Sequence, residues 1–147
     1  MKTTRILMTL LAILFSAMGT IAQTKDTIQM KDTIQMKDND NRTALEVYDI
    51  MKVQGRMEKA PRVNISGYAV KVGPDVYGLP SVEVSEKKGG KVRTLCVLPL
   101  LNYLKLLRHV SKGDKVVMNG EVRGYTEKLD IVVVKECKIV SVNDKKL

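Results

Sequence analysis

Residues able to carry reaction chemistry are few in this chain. His109 is its one imidazole, Cys96 and Cys137 are its two thiols, and Trp is absent. That set is too small for a Cys/His zinc cluster. Aspartates and glutamates are scattered rather than spaced as a carboxylate cluster for a hard cation. His109 falls on the polar side of an expected helix, with no recognisable nucleophile motif around it. The residues therefore imply no catalytic site, no metal and no cofactor, and they place an enzyme behind any binding role.

Composition bounds that role. The chain has 147 residues, 44% apolar and 28% charged, enough for one globular domain. Lys and Arg number 25 against 16 Asp and Glu, a formal charge of +9. Such a balance favours acidic partners, whether single-stranded nucleic acid, acidic polysaccharide or anionic headgroups.

How the thiols are read depends on compartment, and the N-terminus bears on that. Lys2 and Arg5 precede an apolar run from Ile6 to Phe15, and Ser16, Ala17, Gly19, Thr20 and Ala22 follow as small residues. This is the plan of a signal peptide over residues 1–22, cleaved after Ala22. The competing reading is an uncleaved anchor, but a spanning helix wants ~20 predominantly apolar residues and the second half of this segment is small and polar. No Cys lies near the cleavage point to take a lipid, so the sequence does not read as a lipoprotein. The expected destination is the periplasm of a Gram-negative bacterium, with no transmembrane domain after cleavage. In an oxidising compartment Cys96 and Cys137 can pair; otherwise they serve as two small buried hydrophobes.

Residues 23–42 read as a flexible spacer. Lys25 to Met30 is repeated letter for letter by Lys31 to Met36, a polar duplication too short for a solenoid. Asp26-Thr27-Ile28 and Asp32-Thr33-Ile34 resemble the Asp-Thr-aliphatic acceptor of bacterial O-linked glycans, although a duplicated neutral spacer is the better account of them. Asn64-Ile65-Ser66 fits an N-glycan sequon but falls inside an expected strand. Thr43-Ala-Leu-Glu46 is a capping box that opens a lead-in helix within 43–60, stopping at Gly55 and packing across one end of the domain. Partial alternation from Leu45 to Ile50 is the competing signal for a strand.

From Arg62 the hydropathy period becomes two, over a domain spanning 61–142. Val63, Ile65, then Ala69 or Val70, and Val72 mark a first strand, interrupted at Gly67 where a bulge or bend is expected. Pro80 to Glu86 alternates again, Lys87-Lys88-Gly89-Gly90 makes a turn, and Val92 to Leu98 forms a third strand. Pro99 opens a helix whose Leu100, Leu101, Leu104, Leu107 and Val110 form an apolar stripe. In the fourth strand Val116, Met118, Gly120 and Val122 share one face. Gly124 to Lys128 is a second hairpin turn, Leu129 to Val140 a fifth strand, and 143–147 a polar tail.

Three strands, a helix and two strands, with glycines breaking the first and fourth, is the plan of a mainly β, five-stranded OB-fold barrel. Here the chain resembles the exported OB-fold proteins of the tRNA-anticodon-binding-like (tRNA_anti-like) family. The resemblance is carried by Val63-Asn-Ile-Ser-Gly67, Leu95-Cys96-Val97, Lys112 to Gly120, and Cys137-Lys-Ile-Val140. It implies a closed barrel plugged by the Leu-rich helix, with the third and fifth strands side by side. Cys96 and Cys137 would then come within bonding reach, which leaves a disulfide and two buried thiols as the alternatives.

OB barrels commonly bind oligonucleotides or oligosaccharides across their middle strands and adjoining loops. Transferring that surface by position nominates Tyr68, Lys71, Tyr77, Arg93, Tyr125 and Lys128, with lysines for phosphates and tyrosines for stacking. The reading is a non-catalytic exported binding module of unknown ligand. Its alternative is an envelope protein-interaction or structural module that contacts acidic surfaces.

Overall fold

The computed structural model describes residues 35–147. The expected signal peptide, most of the spacer, and Thr27 and Thr33 lie outside the described residues.

Five strands close into a barrel. They are β2 (Arg62–Pro74), β3 (Pro80–Ser85), β4 (Val92–Val97), β5 (Lys115–Thr126) and β6 (Ile131–Val142). Neighbours run β2-β3-β4-β6-β5, and β5 pairs back onto β2. One junction is parallel, where Thr94, Leu95 and Cys96 of β4 face Val132, Val133 and Val134 of β6. The third and fifth barrel strands are thus side by side, as the resemblance implies. Closure leaves few exposed edges for other chains to pair with.

Strand β2 makes closure possible by serving two neighbours. Its first half pairs with β5, from Arg62 opposite Glu121 to Tyr68 opposite Lys115, and its second half with β3, from Tyr68 opposite Ser85 onward. The switch falls at Tyr68, next to Gly67, where a Cβ would sit on the Ser85 carbonyl and the Val84 side chain, and a bulge follows between Ala69 and Lys71. The bend expected at this glycine is therefore a close approach of two backbones. In β5, Val116, Met118, Gly120 and Val122 are buried, as the alternation predicts.

The capping box forms as read. The Glu46 amide donates to Thr43 Oγ1 at 3.2 Å and the Thr43 amide donates to Glu46 Oε2 at 2.7 Å, opening helix α1 (Ala44–Gln54). This helix buries Ala44, Val47, Tyr48, Ile50 and Met51 and packs against all five barrel strands. It is the plug of the barrel. The expectation that the Leu-rich segment fills that place is corrected. That segment is a 3-10 turn (Leu100–Asn102) followed by a seven-residue helix, α2 (Tyr103–His109), which sends only Leu106 into the core, with Val110 behind it. Leu100, Leu101, Leu104 and Leu107 are exposed.

Two segments expected to be loose are held. Met36 is buried; the Asn39 amide donates to the Arg62 carbonyl, and strand β1 (Asn41–Thr43) runs parallel to β2. The spacer reading thus gives way by Met36, whose apolar side chain joins the core. At the other end, Lys145–Lys146 forms β7 against β6, so the polar tail is a short hairpin arm. Asn64 sits inside β2, its Nδ2 donating to Asn41 and its Oδ1 accepting from Asn119, which fits the strand placement of that sequon.

Candidate ligand-binding groove

A groove of about 830 Å³ crosses the outer face of the barrel. Strand alternation builds most of its floor: β4 points Thr94 and Cys96 inward and Leu95 out, and Val133 faces out between the buried Val132 and Val134 of β6, while the register shift at Val92–Arg93 opposite Ser85 brings Val92 to the same face. Its two ends are the β2–β3 loop, with Asp75, Val76, Tyr77 and Leu79, and the β5–β6 turn, with Leu129. Asp75 shapes the first loop by accepting the Tyr77 and Leu79 amides at 2.8 and 2.9 Å. That turn leaves the Tyr77 ring 86% exposed at the rim.

The groove lining sets Lys71 and Lys135 against Asp75, Glu83 and Glu136. Lys71 lies 3.8 Å from Glu83 across β2 and β3, and Lys135 shares the wall with Glu136 and Asp75. The basic excess of the chain is not concentrated here. A second hollow of about 710 Å³ adjoins it, since Thr126, Val133 and Lys135 line both; Arg56, Glu58 and Arg123 add polar walls. There Arg123 is already paired with Glu121.

Of the six nominated residues, the structure brings Lys71 and Tyr77 into one groove. Tyr68 is half-buried on β2 where that strand pairs with both Ser85 and Lys115, and Lys128 is exposed in the β5–β6 turn; neither lines the groove. Arg93 and Tyr125 serve the plug. The Arg93 guanidinium lies 4.6 Å from the centre of the Tyr48 ring, and its Nε finds no hydrogen-bond partner among the described residues. Tyr125 meets the same ring edge-on, at 5.9 Å between centroids. The expected turn at Gly124–Lys128 is displaced: β5 continues to Thr126, and the turn proper is 127–130. Tyr125 is therefore a strand residue packed on the core.

Asp130 gathers this cluster. Its Oδ1 accepts from the hydroxyls of Tyr48 and Tyr125, the latter at 2.7 Å, while Lys91 donates to Oδ2. Lys52 donates to the Tyr48 hydroxyl at 2.9 Å. The Lys91 ammonium, then the two hydroxyls, hold the Asp130 carboxyl well below the usual carboxylate range. In return the bond to Asp130, aided by burial, pushes the Tyr125 hydroxyl up to about 12. This constellation joins α1, the turn leading into β4, the end of β5 and the β5–β6 turn, and is spent on docking the helix.

Cys96 and Cys137 are buried as two free thiols on the inner face. Cys137 follows Glu136, whose φ of 51° marks a kink in β6, and a Cβ on Gly120 would lie 2.6 Å from its sulfur. The neighbouring Cys96 thiol and burial both push the Cys137 thiol up, so it is neutral.

Sequence reasoning missed the groove floor. The signal was available: Ile131 to Val134 is apolar at every position, as expected of a strand apolar on both faces.

Fold and groove together define a small five-stranded β-barrel of the OB type. No protein-family model matches the chain, and no curated protein matches it. Among solved structures it is similar to a candidate nucleic acid-binding lipoprotein from Klebsiella pneumoniae subsp. pneumoniae, at a TM-score of 0.46 and 15% identity over 66% of this chain and 81% of that one. A ligand does not carry over at that distance. The family resemblance read from the strand ends has no matching family model, and the barrel is what stands of it.

Proposed function

We propose that this chain is a non-catalytic envelope module that holds an extended, largely uncharged segment of a partner protein in the groove across β4 and β6. The observation that carries the reading is the lining. Val92, Leu95, Leu79, Leu129 and Val133 make an apolar track with no excess of positive charge beside it, and Lys71 is paired with Glu83. Exposed apolar surface rimmed by polar groups marks interaction sites. A polyanion is attracted by unpaired positive charge and stacks on several aromatic platforms. The groove offers one aromatic ring, Tyr77. Export into the envelope is supported by the Lys2-to-Ala22 pattern.

Panning a phage-displayed library of short random peptides against the full chain tests this. Peptides enriched on the wild type should be lost on Leu95→Glu, which places a charge on the floor without touching the core. Anisotropy titrations with a thymidine oligonucleotide and a sulfated oligosaccharide run beside it at physiological salt. Tight binding of either polymer that Leu95→Glu abolishes, with no peptide enriched, would transfer the groove to that ligand class.

A further inference from the structure

The Leu-rich segment that does not plug the barrel gathers four exposed leucines within eight residues. Leu100, Leu101, Leu104 and Leu107 are 64%, 96%, 66% and 50% exposed. These leucines are set in positive charge. Lys105, Arg108 and Lys112 are exposed beside them, and between Glu86 and Asp114 the chain carries no acid. The turn joining β3 to β4 adds to the skirt, because Lys88 Cε lies 3.1 Å from where a Cβ on Gly113 would stand.

We propose that the 3-10 turn and α2 seat the barrel on an anionic lipid bilayer. The inference does not rest on the groove reading and concerns a different surface. An apolar ridge with basic flanks matches the boundary between headgroups and acyl chains. Leucines enter the boundary, while lysine and arginine stems snorkel back to the phosphates. Seven residues of helix are far too few to span, so the contact lies in the membrane plane. A second copy of the chain fits worse, since a two-fold contact would set one basic skirt against another.

The chain has no Trp, so Leu101→Trp supplies a single reporter at a nearly fully exposed site. The full chain carrying it is mixed with phosphatidylglycerol/phosphatidylethanolamine vesicles or with phosphatidylcholine vesicles. Val53→Trp, on the exposed side of α1, is the control. The expected result is a blue-shifted emission at position 101, quenched by brominated acyl chains, with anionic vesicles only. The shift should be reversed by high salt and absent at position 53. Lys105→Gln and Arg108→Gln should each weaken partitioning about fivefold. An unchanged spectrum at position 101 on anionic vesicles overturns the proposal, even where the chain sediments with them through another segment. So does a shift that grows with protein concentration without lipid, which would mark self-association.

Discussion

Arg93 of β4 stacks its guanidinium on the ring of Tyr48 of α1, 4.6 Å from the ring centre, at the point where the plugging helix meets the barrel wall. A cation over an aromatic face contributes ~0.5–2 kcal/mol, depending on how far the pair is withdrawn from water. The larger share comes from the ring itself, which is buried against the core. Tyr48→Ala should therefore cost about 3–5 kcal/mol, as large-to-small changes of buried aromatics do. Val53→Ala, on the exposed face of the same helix, should stay within about 0.5 kcal/mol. Urea midpoints at constant slope measure both.

Asp130 makes that junction sensitive to acid. Its carboxyl is held below the ordinary value by Lys91, Tyr48 and Tyr125. A depressed folded value means that the stabilisation is present above the unfolded carboxyl's pKa of ~4 and is lost as pH falls through the folded value. Asp130→Asn should be less stable than the wild type at neutral pH, and the gap should narrow in acid. Two unfolding curves separated by the same amount at neutral and strongly acid pH would contradict this. At the alkaline end the sign reverses for Tyr125, whose raised value places its loss of stability between ~10 and about 12.

The two interior glycines are fixed by space rather than by backbone angle. A Cβ on Gly120 would stand 2.6 Å from the Cys137 sulfur and 3.0 Å from the Lys135 carbonyl oxygen, and one on Gly67 would meet the Ser85 carbonyl. Gly67→Ala and Gly120→Ala should each destabilise by about 1–3 kcal/mol through overpacking. Thermal melts of the two variants check this, and unchanged midpoints would mean that the barrel does not draw in at these points.

Cys96 and Cys137 should be unreactive in the native state, because alkylation needs a thiolate and both thiols are buried, with Cys137 held neutral. Iodoacetamide under native, mildly alkaline conditions should modify neither. In denaturant without reductant both should react. Titration of no thiols after unfolding would show that the pair is bridged.

Much of this architecture is legible in the residues because period-two hydropathy is a local signal. The inward faces of β2 and β5, the bend at Gly67 and the capping box at Thr43 follow from neighbours a few positions apart. The plug was not legible. Both α1 and the Leu-rich segment carry an apolar stripe, and a stripe states that a face is apolar without stating what covers it. Packing decided in favour of Val47, Tyr48 and Met51, leaving Leu101 and Leu104 outside. Arg93 and Tyr125 read as surface groups for a similar reason. Their polar ends suit solvent, and only the fold brings Tyr48 to Arg93 and Asp130 to both tyrosines. The middle of the groove floor, Leu95 with Val133, depends on the parallel β4–β6 pairing, a contact between distant stretches of chain.

Backbone amide shift mapping tests the central claim most directly. A peptide selected on the full chain is titrated into the isotope-labelled protein. The account predicts shifts concentrated at Leu95, Val133, Tyr77 and Leu129, with the α1–Asp130 junction unmoved. Shifts confined to the lysines around Gly113, or spread over the barrel without a centre at Leu95, would contradict it.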